Sequence, residues 1–88
     1  MLNYLRMQIN KIDISLISLL SRRFKYAVKI KEEKTKKSLK INDALREKEL
    51  RNFWSKIAGK EKINAEFVNK LLNLIVKESK RIQNENSK

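Results

Sequence analysis

The chain contains no proline and a single glycine, and these are the two residues that most often interrupt a helix or a strand. Both residues are common in the turns that separate strands, whereas a long helix excludes proline and disfavours glycine. The sequence therefore predicts an all-α fold. Its length of 88 residues predicts one domain, residues 1–88, near the size at which a single core is only marginally stable.

The first predicted helix runs from about residue 2 to residue 37. Its apolar side chains recur at alternating steps of three and four, the spacing of a coiled-coil seam. These seam residues are Leu2, Leu5, Ile9, Ile12, Leu16 and Leu19. Lys36 and Lys37 fall in the last turn, where the helix macrodipole favours cations. A short connection, residues 38–42, follows.

Two shorter helices are predicted after this connection. The second helix covers residues 43–58, with Asp43 or the residue before it as the N-cap and Gly59 as the C-terminal cap. The third covers residues 64–83, with Asn64 as the N-cap.

The length of the first helix predicts an oligomer. A helix of roughly 35 residues is about 50 Å long, whereas a compact globule of this size has a radius of gyration of about 12 Å. Two shorter helices of the same chain cannot cover both ends of such a rod. We therefore expect a second copy of the chain to cover the apolar seam, in a two-fold homodimer.

The net charge of +12 favours the binding of a negatively charged partner. Nucleic acid is one candidate, because clustered lysine and arginine neutralise phosphates. Sixteen of the 22 basic residues are lysine, however, and they are spread over all three segments. No basic region leads into a leucine zipper, and no zinc-binding pattern is present. We therefore predict no nucleic-acid partner, and the charge is as well suited to attracting small anions.

The absence of cysteine and histidine excludes several kinds of catalytic and metal site. Without cysteine there are no disulfides, no thiolate catalysis and few ways to build a structural zinc site. Without histidine the commonest general base and metal ligand is missing. No stretch approaches the roughly 18 apolar residues of a membrane span, and the N-terminus does not have the layout of a signal peptide. These features predict a cytoplasmic protein with no membrane partner.

Polar side chains interrupt the apolar faces of all three predicted helices. They are Arg23 and Lys34 on the first helix, Asp43, Arg46 and Glu47 on the second, and Ser79 and Gln83 on the third. Each one alone fits a structural role, such as an ion pair that fixes register or a solvated helix end. Together they describe a pocket with several cations, neutral donors and a carboxylate, because unpaired buried charge is costly. Such a pocket suits a small dicarboxylate that bears a hydroxyl.

Three segments together resemble the all-helical (type II) chorismate mutases. The first helix of that family is matched by Leu5-Arg6, Ile9, Ile12-Asp13, Leu16, Leu19-Leu20, Arg23, Ala27, Ile30 and Lys34. The Asp-x-x-Arg-Glu signature that opens its second helix is matched by Asn42-Asp43-Ala44-Leu45-Arg46-Glu47. The Ser-x-x-x-Gln ending of its third helix is matched by Glu78-Ser79-Lys80-Arg81-Ile82-Gln83. The resemblance covers nearly the whole chain, and its specificity lies in the joint spacing.

The resemblance implies an isomerase that rearranges chorismate to prephenate in phenylalanine and tyrosine biosynthesis. It also implies an intertwined homodimer in which each active site uses both chains. Arg6 would bind one substrate carboxylate in the partner's site, and Arg23 would bind the other carboxylate in its own site. No cofactor or metal is implied, because this pericyclic reaction involves neither proton transfer nor a covalent intermediate.

The resemblance assigns further roles around the breaking ether bond. Lys34 would donate to the ether oxygen and contact the ring hydroxyl, and Glu47 would accept from that hydroxyl. Gln83 would donate a second hydrogen bond to the ether oxygen. Asp43 and Ser79 would line the carboxylate region, with Arg46 bracing the acidic groups. Catalysis would rest on holding a reactive conformer and on stabilising the charge that develops at the ether oxygen.

Two alternative functions stay open at this stage. An isochorismate pyruvate-lyase would share the fold and much of the cationic pocket, although Glu47 favours the mutase because it suits the hydroxyl placement in chorismate. A non-catalytic, basic helical dimer that serves as an interaction module is the other alternative. Such a module would have no reason to keep Arg23, Lys34, Glu47 and Gln83 together.

Overall fold

The computed structural model describes residues 1–38 and 44–85 of the chain. Three helices make up these ranges: α1 (Leu2–Lys36), α2 (Ala44–Glu61) and α3 (Ala65–Glu85). The described ranges contain no strand. The predicted all-α fold, with three helices of which one is very long, is confirmed. The N-cap predicted at Asp43 or the residue before it lies outside the described residues.

Helix α3 occupies the middle of the structure and packs against both α1 and α2. Helices α2 and α3 form an antiparallel hairpin, in which Glu47 near the start of α2 meets Lys80 near the end of α3. Helix α1 runs in the same direction as α3. Arg23 contacts Ser79 and, one turn later on both helices, Ala27 contacts Gln83. The C-terminal half of α1, the start of α2 and the end of α3 therefore converge.

The core is small and centres on one face of α3. Val68, Leu72 and Ile75 recur at steps of four and three, which places them on a single face, and all three are buried. Ala27 of α1 and Ala58 of α2 are the buried apolar residues contributed by the other two helices. Burial of a large aliphatic side chain stabilises a fold by about 1.5–3 kcal/mol. A core of this size gives one chain little stability of its own.

The N-terminal half of α1 extends beyond the rest of the chain. Its seam residues, from Leu2 to Leu19, each keep between 49% and 64% of their surface exposed. The 35 residues of α1 span about 52 Å, whereas the 21 residues of α3 span about 31 Å. The molecule consequently measures 55 × 27 × 15 Å, with a radius of gyration of 16.0 Å. A compact chain of this length would have a radius of about 12 Å.

The turn between α2 and α3 corrects one prediction. Gly59 was expected to end α2, but the helix continues through it to Glu61. Lys62 takes the left-handed backbone conformation instead, with φ of 58°. The Lys62 N–H donates to the Gly59 carbonyl and the Ile63 N–H to the Ala58 carbonyl, the bonding pattern of a Schellman motif. Gly59 is followed by Lys60 and Glu61, both good helix formers, so the helix has no local reason to stop there.

The start of α3 agrees with the sequence. The Phe67 N–H donates to Asn64 Oδ1 at 2.8 Å, so Asn64 caps the helix as predicted. Helix α2 ends at Glu61 and Asn64 caps α3, so the chain reverses its direction between these two residues. The left-handed conformation therefore falls on Lys62, the first residue after α2, and not on Gly59.

The position of Gly59 inside α2 gives a stability prediction with a definite sign. No neighbouring atom lies within 4 Å of the place where a Cβ would stand. We therefore expect Gly59→Ala to raise the free energy of unfolding by about 0.5–1 kcal/mol, measured by urea denaturation at fixed protein concentration. Lys60→Ala, in the same turn, is the control and should change little. Destabilisation by Gly59→Ala would mean that Gly59 is the helix cap after all.

Candidate active site

A cavity of about 280 Å³ opens where the three helices converge. Polar and apolar side chains share its wall. The polar ones are Arg23, Lys34, Arg46, Glu47, Ser79, Lys80 and Gln83, and the apolar ones are Tyr26, Ala27, Ile30, Leu50 and Val76. The volume lies just below the range of roughly 300–1,000 Å³ that ligand pockets occupy, so it suits only a small ligand.

Most of the residues selected from the sequence lie around this cavity. Six of the eight line it, namely Arg23, Lys34, Arg46, Glu47, Ser79 and Gln83. Asp43 lies outside the described residues. Arg6 is exposed and precedes Arg23 on α1 by about 25 Å of helix, so it does not line this chain's cavity.

Arg23 is held on the wall by two neighbours. Its Nη1 donates to Ser79 Oγ at 3.4 Å, and its guanidinium carbon lies 6.0 Å from the centroid of the Trp54 ring. Ser79 is itself buried and donates to the Ile75 carbonyl at 2.9 Å. Burial lowers the pKa of Arg23, and the nearby charge of Arg46 lowers it further. Arginine stays protonated despite such shifts, so this position favours the arrival of an anion.

Gln83 is fixed to α1 by two hydrogen bonds. Its side-chain Nε2 donates to the Ala27 carbonyl at 2.8 Å. Its backbone carbonyl accepts from Lys31 Nζ at 2.6 Å. This carbonyl belongs to the last turn of α3, where carbonyls have no partner within the helix and a cation is favoured by the macrodipole. The end of α3 is therefore anchored against α1 at the residue that faces the cavity.

The acidic side of the cavity belongs to α2. Glu47 Oε1 lies 2.6 Å from Lys80 Nζ of α3. Arg46, predicted to brace acidic groups, has Nη1 at 3.6 Å from Glu49 Oε2. The carboxylate of Glu47 thus reaches the wall of the cavity with a cation of the neighbouring helix beside it.

The charges around the cavity favour an anionic ligand. Among the described residues, four basic side chains and one acidic side chain line it. Because the walls exclude part of the solvent, opposite charges attract more strongly there than on an open surface. Two carboxylates on a small molecule would match this excess of positive charge, and Glu47 and Ser79 offer acceptors for a hydroxyl.

Two lysines at this site were not among the residues selected from the sequence. Lys31 exposes only 8% of its surface and holds the backbone of Gln83. Lys80 lines the cavity and pairs with Glu47. Their spacing was the one available signal, but it does not distinguish these two residues from the chain's other lysines. Lys31 follows Ala27 by one turn of α1, and Lys80 follows Val76 by one turn of α3.

The described residues show neither a metal site nor a membrane span. No cluster of three or more potential metal-ligating side chains occurs in residues 1–38 and 44–85. Within the same ranges, no helix combines the length and the apolar character needed to cross a bilayer.

Comparison with known proteins agrees with the geometry of the cavity. The sequence profile of the chorismate mutase type II family matches residues 5–84. A bifunctional chorismate mutase/prephenate dehydratase of Buchnera aphidicola subsp. Schizaphis graminum (strain Sg) is 35% identical over 74 residues. That alignment covers 84% of this chain but 19% of the relative, so the chain spans about one fifth of that protein's length. The chain belongs to the chorismate mutase type II family.

Proposed function

We propose that this chain catalyses the rearrangement of chorismate to prephenate in aromatic amino-acid biosynthesis. The observation that carries the proposal is the convergence of Arg23, Lys34, Glu47, Ser79 and Gln83 from three helices on one small cavity. Membership of the chorismate mutase type II family supports the same reaction.

The first task in this reaction is to hold the substrate's two carboxylates. Arg23 is suited to one of them, because a guanidinium binds a carboxylate through two parallel hydrogen bonds. Its lowered pKa reflects a charge that burial and Arg46 disfavour, and a bound carboxylate would offset both effects. Ser79 keeps the guanidinium in place from α3. Asp43 is assigned to the same region by the family resemblance.

The second task is to stabilise the charge that develops on the ether oxygen. We assign this task to Lys34 and Gln83, which line the same cavity from α1 and α3. A primary amide carries two N–H groups, and one of those of Gln83 donates to Ala27. In this proposal the other N–H donates to the ether oxygen. The bond to Ala27 then acts as an orienting contact that fixes the plane of the amide before the substrate arrives.

The third task is to place the ring of the substrate. Glu47 would accept a hydrogen bond from the ring hydroxyl, and Lys34 would contact the same group. With both ends held, the flexible enolpyruvyl chain would be kept over the ring in a reactive conformer. None of these contacts with the substrate requires the transfer of a proton.

We further propose that the active form is a homodimer in which Arg6 enters the partner's site. The exposed apolar seam of α1 supports this arrangement, because monomers rarely expose so long an apolar face. A groove of about 830 Å³ along α1 supports it as well, since Ile17, Leu20, Phe24, Val28 and Ile82 line its wall. Arg6 lies on the exposed half of α1, beyond the reach of its own chain's cavity.

The direct test of the reaction is product identification. Purified protein is mixed with chorismate and, separately, with isochorismate, and the products are identified by liquid chromatography and mass spectrometry. We expect prephenate from chorismate, and no salicylate and pyruvate from isochorismate. Salicylate and pyruvate in place of prephenate would identify a lyase of the same fold. No turnover of either substrate would favour the non-catalytic interaction module.

The role of Gln83 predicts a characteristic pH profile. The chain has no histidine, so we expect a fairly flat rate for the wild type between about pH 5 and 8. Gln83→Glu keeps the size of the side chain but makes donation depend on protonation. An ionised glutamate would oppose the negative charge on the ether oxygen, so the activity of this variant should rise as the pH falls.

A neighbouring residue supplies the control for this experiment. Asn84→Asp makes the same amide-to-acid change on an exposed side chain of α3 and should keep the flat profile. If Gln83→Glu is as active as the wild type at pH 8, with the same flat profile, then Gln83 does not donate to the ether oxygen.

A further inference from the structure

Lys80 holds a position that the proposed reaction has not used. It lines the cavity, and its Nζ lies 2.6 Å from Glu47 Oε1. Pairs such as Lys70–Glu66 join residues four positions apart on one helix. The Lys80–Glu47 pair instead links α3 to α2 at the wall of the site.

The surroundings of this pair differ from those of a surface ion pair. The side chains of Lys80 and Glu47 are 41% and 28% exposed, whereas those of Lys70 and Glu66 are 74% and 77% exposed. Exposed pairs contribute little, because water and salt screen them and two mobile side chains must be ordered. A partly enclosed pair is screened less and holds its geometry better.

The Glu47 carboxylate lies at a cavity that several cations line, so its position depends on which of them it pairs with. Arg23, Lys34 and Arg46 also line the cavity, so several cations compete for its carboxylate. A carboxylate drawn toward one of them would leave the position from which it receives the substrate hydroxyl. Lys80 approaches Glu47 from α3 and engages Oε1, so the carboxylate can offer Oε2 to a ligand.

We propose that Lys80 is a positioning residue that fixes the Glu47 carboxylate for the ring hydroxyl of the substrate. The inference rests on the proposed function. Lys80 acts through Glu47 and makes no required contact with the substrate. Its contribution to the rate therefore depends on the presence of the carboxylate at position 47.

A double-mutant cycle tests this dependence. We expect Lys80→Gln to lower kcat/KM for chorismate about tenfold, because a misplaced carboxylate weakens transition-state binding. In the Glu47→Gln background the same change should alter kcat/KM less than about twofold, since the interaction it removes is already lost. Lys80→Arg keeps a cation that can pair with the carboxylate and should stay within about threefold of the wild type.

Control variants separate this role from a structural one. Lys70→Gln removes a lysine and an ion pair from α3 away from the cavity, and it should leave kcat/KM unchanged. Thermal unfolding of every variant shows whether the fold is intact at the assay temperature. If Lys80→Gln does not fold, Lys80→Met takes its place in the cycle, because methionine retains the packing of the apolar stem.

Each outcome of the cycle has a definite meaning. An equal loss from Lys80→Gln in both backgrounds would show that Lys80 binds the substrate directly, which overturns the positioning role. Full activity of Lys80→Gln beside an active wild type would overturn this inference alone. A wild type without mutase activity would overturn the proposed function and, with it, this role of Lys80.

Discussion

The length of α1 governs the arrangement of everything else in this chain. Helix α3 is 21 residues long and α1 is 35, so α3 covers only the C-terminal part of α1. The covered part forms one wall of the cavity through Arg23, Ala27 and Lys34. The uncovered part keeps an exposed apolar seam and carries Arg6. One helix thus provides both a site wall and an unpartnered surface, and these two features together favour a second copy of the chain.

One face of helix α3 carries both core residues and residues that line the cavity. Val68, Leu72 and Ile75 bury that face in the core, and the same periodicity continues into Ser79 and Gln83 at the cavity. The position of each polar group is therefore set by the packing of the turns before it. Two hydrogen bonds to α1 then fix the last turn: Gln83 Nε2 donates to the Ala27 carbonyl, and Lys31 Nζ donates to the Gln83 carbonyl. A wall held by such contacts suits a reaction that depends on positioning rather than on proton transfer.

The parts of the structure that follow from local spacing could be predicted from the sequence. Steps of three and four predicted α1, and an asparagine before an apolar run predicted the Asn64 cap. The end of α2 could not be predicted, because a glycine can lie inside a helix as well as end one, and here the left-handed residue is Lys62. Lys31 and Lys80 were missed because a chain with 16 lysines gives no local sign of which ones are buried or paired. Their roles depend on partners 52 and 33 positions away.

The claim that each active site needs two chains is tested most directly with mixed dimers. Chains with Arg6→Ala and chains with Arg23→Ala, one of them tagged, are assayed alone and after unfolding and refolding as an equal mixture. Each variant alone should be nearly inactive. In a mixed dimer one of the two sites has both arginines, so the mixture should regain about one quarter of the wild-type activity. No recovery, in a preparation where the tag demonstrates mixed dimers, would show that both arginines serve the site of one chain and would contradict the shared site.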